Sequence, residues 1–143
     1  MPTFVKSSRF EAPVDSVFAF HEREDALTLL SPSFPPVTVI SRTGGIRAGA
    51  RVELRIGPIT WVAAHTEYER NRLFVDEQIS GPFARWVHRH EFADEDGRCR
   101  LTDRVSFELP GGRIVNALFG WVVALALRPM FHHRHAATRK YVA

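Results

Sequence analysis

The residues best suited to chemistry lie in the stretch Ala84–Ala93. With the alternation of a strand, Trp86, His88, His90 and Phe92 share one face, while Arg85, Arg89 and Glu91 share the other. The charged set belongs in water, so the Trp-His-His-Phe set faces inward. If Ser80-Gly81-Pro82-Phe83-Ala84 closes a tight hairpin, Gln78 lies opposite Trp86, Asp76 opposite His88 and Phe74 opposite His90. A turn at Asp94-Glu95-Asp96-Gly97 places Asp103 opposite His88 and Leu101 opposite His90, and the turn from Glu69 to Arg72 places His65 opposite Asp76. Cross-strand neighbours have Cβ atoms about 5 Å apart. The spacing therefore predicts a polar row, His65–Asp76–His88–Asp103, across four strands. A one-residue bulge would break a pairing and turn His65 outward in favour of Thr66 or Tyr68.

Three chemistries fit such a row. It can be a satisfied polar network, since buried carboxylates and imidazoles must be paired whatever the protein does. It can be catalytic, because a histidine held by carboxylates in a closed apolar pocket serves as general acid or base, as an aldol cyclase or dehydratase requires. It can bind a metal, since a His-x-His pair on one strand face plus carboxylates supplies ligands. Two flanking carboxylates are expected to outweigh partial burial and raise the pKa of His88 above about 6.5. Other candidates are weaker. His132 and His133 point in different directions on a helix, and the His132, His133, His135 cluster reads as cations near a helix C-terminus. His21 ends a helix and reads as a packing or capping residue. Cys99 shows no partner that would make it a nucleophile.

The elements that hold the row follow from turn signals. Thr3 to Glu11 alternates loosely as a first strand. Ala12-Pro13-Val14-Asp15 opens a helix, with Pro13 suited to its first turn. A second short helix, about Glu24 to Leu30, stops at Ser31-Pro32, and Pro35-Pro36 marks a rigid exit. Gly44-Gly45, Gly57-Pro58, Arg70-Asn71, Gly81-Pro82, Asp96-Gly97 and Gly111-Gly112 then separate Val37–Arg42, Arg51–Ile56, Thr60–Glu69, Leu73–Ser80, Ala84–Ala93 and Cys99–Leu109. Each segment is rich in β-branched and aromatic residues, so the pattern predicts an antiparallel meander whose edge the first strand closes. From Ala117 to Leu127 every residue except Gly120 is apolar. A helix apolar all round must be buried on most of its circumference, so Arg113 to Tyr141 should be a helix gripped by a concave sheet. Crossing a membrane takes about 20 apolar residues, and this run stops at Arg128-Pro129, where a kink or restart is expected.

Composition sets the outer limits. At 143 residues, 45% hydrophobic and 24% charged, the chain reads as one ordinary globular domain, residues 1–143. A single cysteine excludes a disulfide framework, and the N-terminus shows no export pattern, so the expected location is the cytoplasm. The net charge of +3 is spread from Arg9 to Arg139 without the stripe that nucleic-acid binding needs.

The order of elements, with "EAPVDSVFAFHEREDAL" at 11–27, "FVDEQISGPFARWVHRHEF" at 74–92 and "LTDRVSFELPGG" at 101–112, resembles the SRPBCC (START-like) superfamily over essentially the whole chain. The likeness is to its bacterial ligand-binding members, polyketide cyclase/dehydratase-like and cell-division-inhibitor-like, some of them fused to epimerase-like domains. The resemblance implies an α+β helix-grip fold: a seven-stranded curved antiparallel sheet, two short helices after the first strand, and a long C-terminal helix in its concave face. It implies a hydrophobic cavity between sheet and helix, and no single reaction. Nothing in it requires a metal, and no metal or other cofactor is assigned.

The expected function is binding or carrying a small apolar or amphipathic ligand, lipid- or polyketide-like. The lining is expected to be Val52, Leu54, Trp61, His65, Phe74, Gln78, Phe83, Trp86, His90, Val105 and Phe107 from the sheet, facing Leu118, Val122, Leu125 and Met130 from the helix. Ile59 and Phe83 should rim the mouth. The alternative is a cyclase or dehydratase in which His88 acts with Asp76 or Asp103. A further alternative is an interaction module whose eleven Phe and three Trp fill their own cavity. The expected partner is a hydrophobic small molecule, with no nucleic acid and no membrane span, and the expected assembly is a monomer or weak homodimer.

Overall fold

The computed structural model describes residues 1–33 and 36–142. Of the expected Pro35-Pro36 exit, Pro35 lies outside the described residues. The order is β1 (Thr3–Phe10), α1 (Val14–Glu22), α2 (Ala26–Leu30), β2 (Val37–Thr43), β3 (Arg51–Ile56), β4 (Ile59–Glu69), β5 (Leu73–Ser80), β6 (Arg85–Glu95), β7 (Arg98–Glu108) and α3 (Gly112–Val142). The strands form one seven-stranded antiparallel sheet in the order β1-β7-β6-β5-β4-β3-β2. This is the α+β helix-grip fold that the turn spacing and the resemblance implied.

Local chemistry fixes the registers. β6 and β7 join through a two-residue turn, with Glu95 opposite Arg98 and both central residues at positive φ, Asp96 at 55° and Gly97 at 83°. That is the type I′ geometry an Asp-Gly pair favours, because its twist matches the flanking strands. It shifts the expected register: His90, not His88, lies opposite Asp103, His88 lies opposite Val105, and Leu101 lies opposite Phe92. On the other side Asp76 faces His88 and Phe74 faces His90, as expected. β4 carries its extra residue at Thr66, just beyond His65↔Asp76. His65 stays inward at 9% exposure, in alternation with Trp61 and Ala63, which also line the cavity.

The core has two parts. Under α1 lies a cluster of Phe10, Val17, Phe18, Phe74, Phe92 and Leu101. Under α3 lies a second, of Phe4, Trp86, Val105, Phe107, Leu127 and Phe131. Helix α3 runs as one element through Pro129, so of the expected kink or restart the restart does not occur. It packs over the β1 edge, with Phe4 and Phe131 ring centroids 5.3 Å apart. Its buried positions are Gly120, Leu127, Phe131, His135 and Thr138, a single stripe at helical spacing. Leu118, Val122 and Leu125 fall on the opposite side, 58%, 44% and 47% exposed, and do not face the cavity. An all-apolar run has no polar residue to set its phase, so the sequence could not say which side faces the sheet. By length and composition alone α3 could cross a bilayer, yet its second half is occupied with the sheet.

Candidate functional site

Because α3 covers the β1 and β7 side, the concave face over β2 to β6 stays open beneath the helices. A cavity of about 520 Å³ lies there, within the range of about 300–1,000 Å³ that holds small molecules. Val52, Leu54, Trp61, Ala63, Phe74 and Trp86 form much of its floor, while Leu27, Leu30, Leu127 and Met130 close it from the helices. Exposed Ala126 and Pro129 also border it, so it reaches the surface beside the middle of α3. One end is aromatic, where Trp61 and Phe83 pack on Trp86 at 5.1 and 4.8 Å. The other is polar, with His21, His65, Asp76, His88, His90 and Arg134 in the wall.

The polar end is built around His90 and Asp103. His90 Nε2 donates to Asp76 Oδ2 at 2.9 Å, and its Nδ1 lies 3.1 Å from Asp103 Oδ1. Asp103 also takes His88 Nε2 at 2.8 Å and, from α3, His135 Nε2 at 2.6 Å, while His135 Nδ1 meets Ser8 Oγ at 2.7 Å. The His88 and His90 rings stack at 3.6 Å, and Phe74 stacks on His90 at 3.9 Å.

Charge in this cluster follows from the contacts. Burial opposes the His90 imidazolium, but the hydrogen bonds to Asp103 and Asp76 outweigh it and raise its pKa. Burial also penalises both carboxylates, yet the histidine hydrogen bonds bring Asp76 down to about 2 and Asp103 well below the ordinary range. His88 goes the other way from the expectation. Burial, then the neighbouring His90 charge, outweighs its bond to Asp103 and lowers it to about 4. Burial likewise takes His21, whose Nδ1 bonds the Val17 carbonyl at 2.9 Å, to about 4, and lowers His65. Donor atoms of Asp76, His88 and His90 lie within 4.8 Å of one another. Both nitrogens of His90 face carboxylates, Asp76 and Asp103, so the arrangement as built spends them on those contacts.

A family model described as polyketide cyclase / dehydrase and lipid transport matches residues 10–133. The chain belongs to that family. That family is of the SRPBCC (START-like) type. Among solved structures, one described as a nucleoside-diphosphate sugar epimerase from Corynebacterium glutamicum is 26% identical with a TM-score of 0.79. The match covers 96% of this chain and 28% of that one, so the chain spans little more than a quarter of that protein. A START superfamily protein from Mycobacterium smegmatis is 13% identical (TM-score 0.69, 99% and 97% covered). The Zhui aromatase/cyclase from Streptomyces sp. R1128 is 12% identical (TM-score 0.73, 98% and 92% covered). At these identities the last two share the fold. No functionally curated protein matches the sequence.

In this member of the cyclase and lipid-transport family, the expected site residues divide. Val52, Leu54, Trp61, His65, Phe74, Asp76, Phe83, Trp86, His88, His90 and Met130 border the cavity. Val105 and Phe107 do not; both are fully buried beneath α3, because the helix covers their strand. Gln78 is turned to the β5–β6 turn, donating Nε2 to the Phe83 carbonyl at 2.7 Å and accepting from Phe83 N at 3.2 Å. Asp103 lies behind His88 and His90, bordering only a small side pocket. Ile59 is 43% exposed and lies outside the wall. Sequence reasoning missed His135, set aside as a helix-end cation, and Arg134. Their signal was Phe131, His135 and Thr138 recurring at helical spacing in phase with Leu127.

Proposed function

We propose that this chain binds a small apolar or amphipathic molecule, lipid- or polyketide-like, and holds or carries it in the cavity as a monomer or weak homodimer. The observation that carries this reading is the cavity itself, about 520 Å³ with aliphatic and aromatic walls. A volume of that size also argues against the self-filled interaction module. The second reading is a cyclase or dehydratase using His88 with Asp76 or Asp103, which the family description favours. Against it stands His88 at about 4. A general base works best with a pKa near the operating pH, and a neutral histidine held so low is a weak acceptor of protons. Native mass spectrometry of the purified protein, with a Nile red titration, tests the proposal. A co-purifying small molecule, or dye uptake that Leu54→Trp abolishes by filling the floor, supports it. An empty wild type that takes up no dye would sink it.

A further inference from the structure

The cavity wall contains an arginine whose guanidinium the polar cluster does not hydrogen-bond. Arg134 sits on the buried side of α3, between the large cavity and the side pocket that Asp103, His135 and Thr138 border. Both carboxylates of the cluster are taken by histidines, Asp76 by His90, and Asp103 by His88, His90 and His135. Among the described residues Arg134 has no ion pair and no side-chain hydrogen bond; its guanidinium lies 5.5 Å from the Phe131 ring centroid. Arg42, the other arginine in the wall, donates Nη1 to the carbonyls of Arg23 and Glu24 at 2.9 and 2.6 Å. Burial penalises the charged form of Arg134 while the charges of Asp103 and Asp76 favour it, and a guanidinium keeps its proton in proteins. Its side chain is half-buried on the cavity wall with no hydrogen bond spent, and five N–H donors in a planar fork match a carboxylate. Elsewhere in the same wall, among the described residues, His65 Nδ1 is buried without a hydrogen-bond partner.

Resting on the reading of the cavity as a binding site, we propose that Arg134 receives the carboxylate of an amphipathic ligand whose apolar body runs toward Trp61, Phe83 and Trp86. The polarity of the cavity sets this direction. Aromatic rings at one end take the hydrocarbon, and the guanidinium at the other takes the head. The ligand class is thus a monocarboxylate with an aliphatic or polycyclic body, not a neutral lipid.

The test compares decanoate with methyl decanoate, one chain length with and without the charge, by calorimetric titration at a pH where the acid is ionised. Wild type should bind decanoate roughly tenfold or more tightly than the ester, the usual scale for a hydrogen bond to a charged group. Arg134→Met should erase that preference, bringing the two affinities together, and Arg134→Lys should keep part of it. The lysine variant also covers the case in which the methionine variant does not fold. Equal affinity for both probes in wild type, or a preference that survives Arg134→Met, overturns the role of Arg134 and leaves the cavity reading standing. Uptake of neither probe overturns both.

Discussion

The two halves of α3 invert the usual relation between hydropathy and burial. Its first half carries Ile114, Leu118, Phe119, Trp121, Val122 and Leu125, with Ile114 75% and Trp121 61% exposed. Its second half carries His132, His133, Arg134, His135, Thr138 and Arg139, yet His135 and Thr138 are 2% and 1% exposed. The difference lies in what each half meets. The second half crosses the sheet where Asp103, Ser8 and the backbone carbonyl of Arg134 supply partners for its polar side chains. The first half touches the sheet along a thin line through Gly120, beside Pro2, and the rest of its circumference faces outward. Burial here is decided by phase and position, and polarity is accommodated wherever hydrogen bonds complete it.

The largest expected effect separates the halves directly. Leu127→Asp places a carboxylate in the cluster of Phe4, Trp86, Phe107 and Phe131, and should cost about 4 kcal/mol or more. Leu125→Asp, on the exposed side two residues away, should change stability by no more than about 0.5 kcal/mol. Denaturant melts of the two variants check this. Comparable losses would mean that α3 is gripped all round, as its hydropathy alone suggested.

That suggestion shows where the sequence was legible. Every strand and helix was readable, because Gly, Pro, Asn and Asp punctuate the meander at short intervals. The polar cluster was readable in its membership on β4, β5 and β6, since period-2 alternation fixes which side chains share a face. Its wiring was not. Reading Asp94–Gly97 as the whole turn hid the two-residue Asp96-Gly97 hairpin, and that offset moved Asp103 from His88 to His90. No local signal brings a helix onto a particular strand, so His135 reaching Asp103, 32 residues away in sequence, was visible only in three dimensions.

The polar side of the comparison should also answer to pH, as the apolar half cannot. His21 and His88 are held neutral, with folded pKa values of about 4 against an ordinary 6.5. Unfolded histidines take up their protons near the ordinary value, so the contribution of this pair is complete above about 6.5 and is lost as pH falls toward 4. His65, also lowered, adds in the same direction. His90 opposes them: its pKa is raised, so its contribution is complete below the ordinary 6.5 and fades as pH rises through its folded value. The lowered histidines outnumber it, and each tenfold change in proton affinity between the folded and unfolded chain is worth about 1.4 kcal/mol. Between pH 7 and pH 4.5 the protein should lose about 3 kcal/mol, and His21→Leu should flatten that slope. A stability that holds level or rises over this interval would mean that the buried histidines are charged.

The smallest effect probes the thin line along which the first half of α3 is attached. Gly120 is its one buried residue, and a Cβ there would sit 2.9 Å from Pro2 Cγ. Replacing glycine with alanine inside a helix gains up to about 1 kcal/mol through propensity. The clash works against that gain, and how strongly depends on Pro2. Pro2 precedes β1, and its carbonyl accepts from Phe107 N at 3.0 Å, which ties it to β7. A few tenths of an ångström must therefore come from the proline ring or from the helix itself. The two effects should nearly cancel, leaving Gly120→Ala within about 0.5 kcal/mol of wild type. A gain of the full propensity would show that Pro2 yields freely and that the first half of α3 only rests on the sheet. A loss above about 1 kcal/mol would show the reverse, a helix clamped at one point with its apolar side turned outward.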